Sequence, residues 1–217
     1  MSNWVEIKLK LLGSPENIKK FVDDFEKEGF NCAAPIPPFL KSYRVKPHIW
    51  WEIEEKIEKF FPTDSFSSKQ SAELNICALK MILPTISDCE VKKAIDKVIK
   101  CIEKTGYACW YQFVVINWGT DRQPWDIIFD EKKNILTFYT AWSPPVPFLT
   151  KASRKYDINF RLVALDMVSP FLEQREIKNG KEVFYKDYTQ LLIQAIIDYD
   201  AGRINVLDLS EVYSFLK

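Results

Sequence analysis

The stretch Asn3-Trp4-Val5-Glu6-Ile7-Lys8-Leu9-Lys10-Leu11, followed by Gly13-Ser14-Pro15, decides how this chain is read. Val5, Ile7, Leu9 and Leu11 fall on one side of an extended backbone; Glu6, Lys8 and Lys10 fall on the other. That alternation predicts a half-buried strand over 3–11. Gly13 turns the chain, Ser14 caps a helix, and Pro15 takes its first position. Ile18, Phe21, Val22 and Phe25 form the apolar stripe of that helix, and Gly29 ends it.

Working outward, Ala33 to Leu40 holds Pro35, Pro37 and Pro38 and is predicted as an extended connection. Residues 43–105 read as a helical block. One helix begins after Pro47 with Ile49, Trp50, Ile53, Ile57, Phe60 and Phe61. Its outer face pairs Glu52 with Lys56 and Glu55 with Lys59. A second helix covers 67–83 and stops at Pro84. A third opens on a capping box of Ser87 and Glu90, carries Val91, Ala94, Ile95, Val98 and Ile102, and ends at Gly106.

Strand texture follows. Tyr107 to Asn117 is aromatic and β-branched and reads as a strand. Asp126–Asp130 and Ile135–Trp142 pair across a turn at 131–134. A short helix after the prolines carries Phe148, Leu149 and Ala152. Ile158, Phe160, Leu162 and Ala164 mark another strand, and Asn179-Gly180 is a hairpin signal. Asp187 and Gln190 suggest a capping box for a helix that Gly202 stops, and 203–217 reads as a short strand and a last helical turn. Apart from the helical block, the order is the split βαββαβ pattern. The fold class expected is α+β: a ferredoxin-like antiparallel sheet with a helical insertion. Residues 1–40 supply its first strand and helix, 41–105 the insertion, 106–186 the remainder, and 187–217 a helical extension.

The chemistry that composition permits is narrow. Lys+Arg and Asp+Glu are both 30, so the bulk charge favours neither a phosphate-gripping protein nor a mimic of one. The opening residues have no signal-peptide pattern and no apolar run approaches membrane-spanning length, which predicts a cytoplasmic protein. Cys32, Cys77, Cys89, Cys101 and Cys109 include no C-x-x-C pair and read as mostly buried thiols. His48 is the only histidine, beside Pro47 at a helix start, so Ser–His or Cys–His catalysis has no second candidate. Asp126, Asp130 and Asp166 near the strands could bind Mg²⁺, but carboxylates at strand ends are usually turn or surface residues and nothing fixes their geometry. Pro144, Pro145 and Pro147 remove the N–H groups an anion would need at that helix start. No catalytic residue, metal ligand or cofactor site is therefore assigned. Of Tyr107, Trp110, Tyr111, Phe113, Phe138 and Tyr139, most read as core rings.

Two segments are distinctive: Asn117-Trp118-Gly119-Thr120 and Thr140-Ala141-Trp142-Ser143-Pro144-Pro145. With Asn3-Trp4 and the Pro35-x-Pro37 run, they resemble the YubB/Api-type family of phage- and plasmid-borne proteins. The resemblance is specific around 107–166. It implies a ferredoxin-like C-terminal region and no iron–sulfur cluster. The chain departs from the family after Asn117-Trp118-Gly119-Thr120, where Asp121 and Arg122 replace a Lys and a Trp and an aromatic returns at Trp125. The two motifs are expected to face each other, with Trp118 filling the core or else joining Trp125 and Trp142 along a groove.

The mobile-element setting implied by the resemblance, with the lack of catalytic chemistry, points to a non-enzymatic protein-binding module. Its expected partner is a host protein or protein–nucleic-acid complex, and its expected role is to inhibit a host defence factor such as a nuclease complex. Trp51, Trp118, Asp121, Arg122, Trp125 and Trp142 are the candidate contact residues. Trp51 adjoins Trp50, and a helix cannot aim both at one narrow stripe. The alternatives are a nucleic-acid-binding module, which would stack bases on exposed strand aromatics, and an enzyme with an unfamiliar site.

Overall fold

The computed structural model describes residues 3–41, 71–201, 203 and 209–216. It divides into two compact units, Met1–Pro35 with Asn117–Lys217, and Ile36–Ile116. The first unit opens with strand β1, Trp4–Leu12, whose burial alternates as its sequence does. Helix α1, Pro15–Glu28, follows, with the Ser14 hydroxyl accepting the Asn17 N–H and Gly29 closing the far end at φ 57°. A helical turn, Gly29–Cys32, continues from it.

In the second unit the described residues are helical. The expected extended connection gives way to one turn of helix, α2, Pro38–Lys41. Pro38 takes the first helical position, where a missing N–H costs nothing, and Leu40 N–H reaches the Pro37 carbonyl at 2.9 Å. Helix α3 is Ser71–Ile82, and Pro84 lies in the 3-10 turn Leu83–Thr85 that ends it. Helix α4 is Cys89–Thr105, closed by Gly106 at φ 77°. Leu79, Ile82, Val91, Ile95, Val98 and Ala108 are among the residues that form its core. The first insertion helix expected after Pro47, with Trp50, Trp51 and His48, lies outside the described residues.

The cap of α4 is not the one the sequence suggested. Asp88, not Ser87, is the N-cap, and its carboxylate accepts the N–H groups of Glu90 at 2.6 Å and Val91 at 3.1 Å. A carboxylate gains more than a hydroxyl from the positive end of the helix, which is why the neighbouring residue takes the role. Asp88→Ala is expected to cost about 1 kcal/mol of stability, and Ser87→Ala a few tenths at most. Chemical denaturation followed by circular dichroism separates the two; equal losses would return the cap to Ser87.

A larger correction concerns Tyr107 to Asn117. This segment is not a strand: Trp110–Trp118 forms helix α5. Its buried residues Phe113, Val114, Asn117 and Trp118 recur at helical spacing, and Trp110 and Tyr111 are exposed rather than core. The start is fixed reciprocally. Gln112 Oε1 accepts the Ala108 N–H at 2.7 Å, and Cys109 Sγ faces the Gln112 N–H at 3.5 Å. Aromatic and β-branched content is a weak preference that this arrangement overrides.

The sheet of the first unit has six strands in the order β2-β3-β1-β4-β5-β6, each antiparallel to its neighbours. The strands are β2 Trp125–Asp130, β3 Ile135–Ala141, β4 Asn159–Asp166, β5 Phe171–Lys178 and β6 Lys181–Asp187. Helix α6, Val146–Tyr156, joins β3 to β4. The βαββαβ core is therefore present, with β1 between β3 and β4, and the fold is ferredoxin-like. Strands β5 and β6 extend it through a hairpin at Asn179 and Gly180, φ 49° and 68°, the primed turn that the dipeptide favours.

The two faces of this sheet differ. On one, Phe21 and Phe25 of α1 and Phe148 of α6 pack with Phe30, Phe138 and Phe160, all buried. Rings of this size bury about 150–250 Å² each, so the cluster dominates the core. On the other, helix α7, Thr189–Asp200, and the short helix α8, Ser210–Ser214, lay Leu192, Val212 and Leu216 against Val163 and Leu172 of β4 and β5. The start of α7 is also a correction. Its N-cap is Tyr188 with no side-chain cap, while Asp187 ends β6 and accepts the Thr189 N–H at 2.8 Å. The short strand expected near 204–208, and Gly202, lie outside the described residues. What matters for the site is that α7 and α8 bury Val163 and Leu172 of β4 and β5, whereas on the same face Trp4 and Trp125 at the β1–β3–β2 end stay exposed.

Candidate functional site

The two motifs do meet, and they lock each other. Trp118, only 2% exposed, packs on Phe30 and donates its indole N–H to the Ala34 carbonyl at 2.8 Å. Thr120 Oγ1 donates to the Ala141 carbonyl at 2.7 Å, and Ser143 Oγ donates to the Gly119 carbonyl. Lys151 Nζ donates to the Asn117 side chain. Gly119 has φ 83°, and a Cβ there would sit 2.5 Å from Pro147 Cδ, so no other residue fits without strain. Trp118 is thus a core residue and no part of a groove.

Asp121 and Arg122 sit beside this lock. Arg122 Nε lies 3.9 Å from Asp121 Oδ1, an ion-pair contact too long for a hydrogen bond. That Oδ1 is buried with no hydrogen-bond partner among the described residues. Trp142, 52% exposed at φ 68°, follows β3 and donates its backbone N–H to the Asn3 carbonyl at 3.0 Å. Trp51 lies outside the described residues.

Trp125 is brought into a different company. Its ring lies 5.6 Å from that of Trp4 and 5.5 Å from that of Tyr139. Tyr139 pairs with Trp125 on one side and Glu6 on the other, while Trp4 pairs with Ala141. A bulge between Trp125 and Ile128, with Asp126 at φ 54°, re-aims this end of β2. Trp4 and Trp125 remain 37% and 50% exposed. The rings thus form a row of tilted neighbours on the outer face of the sheet, with both tryptophans open to solvent.

Further along that face stand Lys8 and Lys10, on the same side of β1 as Trp4. They line a cleft with Lys132 and Lys133 of the β2–β3 turn and Tyr213 of α8. Lys8 lies 3.3 Å from Glu6 and 4.2 Å above the Tyr213 ring. Burial alone would lower its pKa, but Tyr213 and Glu6 outweigh this and hold it above the usual lysine value. Lys133 pairs with Asp130 at 3.0 Å, and Lys10 Nζ donates to the Lys133 carbonyl.

Sequence reasoning missed Trp4, Tyr139 and the lysine cleft. Trp4 was legible: it occupies the polar phase of the β1 alternation, with Glu6, Lys8 and Lys10, where a buried ring does not belong. The convergence of Lys132 and Lys133 on β1 was not, since it depends on strand order.

The remaining expectations resolve as follows. Among the described residues no group of His, Cys, Asp and Glu is arranged to hold a metal. Asp130 and Asp166 serve turns, Asp166 accepting the N–H groups of Val168 and Ser169. Cys32 and Cys101 are buried, and burial pushes both thiols up to about 11, whereas Cys77 and Cys89 are exposed, against expectation. Among the described residues no helix is long and apolar enough to cross a membrane.

Comparison with known proteins places these observations. Residues 103–190 match the family model described as the ferredoxin-like domain in Api92-like protein. No curated protein matches the chain. The crystal structure of a protein api92 from Yersinia pseudotuberculosis is similar at a TM-score of 0.42 and 10% identity, covering 87% of this chain and 98% of that one. Over residues 103–190, then, the chain is similar to the ferredoxin-like domain of Api92-like proteins, the family that its two tryptophan motifs resemble.

Proposed function

We propose that this protein is a binding module whose ligand is single-stranded nucleic acid, held on the uncovered end of the sheet. The observation that carries the reading is the row of Trp4, Trp125 and half-buried Tyr139, in which both tryptophans are exposed, continued on the same face by Lys8 and Lys10. Bases stack on exposed rings whatever their sequence, and lysines follow the phosphate backbone. This reading reverses the order of the sequence-based expectations, in which a protein partner came first. The neutral total charge argued against nucleic acid, but the local face is basic where the rings end.

Duplex is a poor fit, because paired bases hide their faces from the rings. Fluorescence anisotropy with a labelled single strand and its duplex is the test. The single strand is expected to bind more tightly, with affinity falling as salt rises by a log–log slope of about −0.7 per phosphate engaged. Equal or tighter duplex binding would contradict the reading.

A second reading is favoured by one observation. Among the described residues strand β6 is an edge of the sheet, and Val183 and Tyr185 are half exposed along it. An edge of this kind accepts a strand from a protein partner. The expected role as an inhibitor of a host defence factor would run through that edge, and capture of a defence complex by the wild type but not by Val183→Pro would support it.

A further inference from the structure

We infer that the lysine cleft is a phosphate site, and that it takes the terminal phosphate of the strand stacked on the aromatic row; this rests on the single-strand reading above. The cleft has a volume of about 460 Å³. Its lysines come from two separate elements: Lys8 and Lys10 from β1, Lys132 and Lys133 from the β2–β3 turn. Ile135 and Leu216 add an apolar wall, and Tyr213 closes the side toward α8. Among the described residues the ammonium groups pair with two carboxylates, Glu6 beside Lys8 and Asp130 beside Lys133. Lys132 has no ion-pair partner among the described residues.

That excess of positive charge selects the ligand. An internal phosphodiester carries a single negative charge, whereas a terminal phosphate monoester carries about −1.5 to −2 near pH 7 and offers three acceptor oxygens. Four lysines gathered around one cleft suit the second. The apolar wall suits the sugar and base that such a phosphate carries. Lys8 lies four positions from Trp4 on one strand, about 13 Å. A terminal nucleotide in the cleft therefore leads its strand toward the rings along the same face. A free nucleotide would present the same phosphate without the following bases, so the test must separate the two sources.

Anisotropy is measured with one single strand in three forms: 5′-phosphorylated, 3′-phosphorylated and unphosphorylated. Calorimetry with pyrophosphate probes the cleft alone. The expected result is that one phosphorylated form binds roughly tenfold more tightly than the unphosphorylated form at low salt. Lys132→Gln with Lys133→Gln abolishes that gain, whereas Trp125→Ala weakens all three forms and preserves the ratio. Equal affinity of the three forms overturns the terminal-phosphate inference and leaves the strand reading standing. Pyrophosphate binding without binding of any strand upholds the phosphate site and removes the strand from it. Silence from both probes overturns the inference and the reading together.

Discussion

Trp118→Ala is expected to destabilise the first unit by about 3–5 kcal/mol, enough to leave much of the protein unfolded at physiological temperature. The indole is buried against Phe30, and its N–H is the partner of the Ala34 carbonyl. Truncation leaves a cavity and an unsatisfied carbonyl at once, and the two costs add. Trp118→Phe separates them: it keeps most of the packing and loses the hydrogen bond, so its expected cost is about 1–3 kcal/mol. Urea denaturation measures both. A loss below 1 kcal/mol for Trp118→Ala would mean that Trp118 does not fill the core as described.

The opposite behaviour is expected at the exposed end of the sheet. Trp125→Ala should leave the melting temperature within a degree or two of wild type and weaken single-strand binding by about 10- to 100-fold, the equivalent of one lost base stack. Trp4→Ala should act alike. Because the two rings touch, the double variant should lose less than the sum of the single losses. Anisotropy beside a thermal melt reads both quantities. Unchanged affinity in the double variant would remove the aromatic row from any role in binding.

The contrast between these tryptophans shows what the sequence could and could not disclose. The alternation of Val5 to Leu11, the Ser14 cap, the Gly106 stop and the Asn179-Gly180 hairpin are local signals, and local geometry follows them. The segment from Trp110 to Trp118 misled because its rings and β-branched residues favour strands only where a sheet is waiting to receive them. Here Cys109 and Gln112 start a helix instead. Ser87 lost the cap of α4 to Asp88 one position later, a difference below what spacing resolves. Asp187 failed as a cap because β6 runs through it.

The candidate site was half legible. Trp125 was named as a contact residue, but its companions in the expected groove, Trp118 and Trp142, lie in the core and beyond the end of β3. Of its actual neighbours, Tyr139 faces it across the β2–β3 hairpin, whereas Trp4 is far away in sequence and meets it only because β1 and β2 flank β3. The lysine cleft arises in the same way, from a turn and a strand that the sheet order brings together. No reading of one segment at a time reaches it.

The central claim is that a single strand lies on the outer face at Trp4 and Trp125. Indole N–H resonances report it directly, since every tryptophan contributes one and alanine variants assign them. On titration with a single-stranded oligonucleotide, the Trp4 and Trp125 signals are expected to shift progressively while that of Trp118 stays fixed. Stationary Trp4 and Trp125 signals at saturating oligonucleotide would contradict the account.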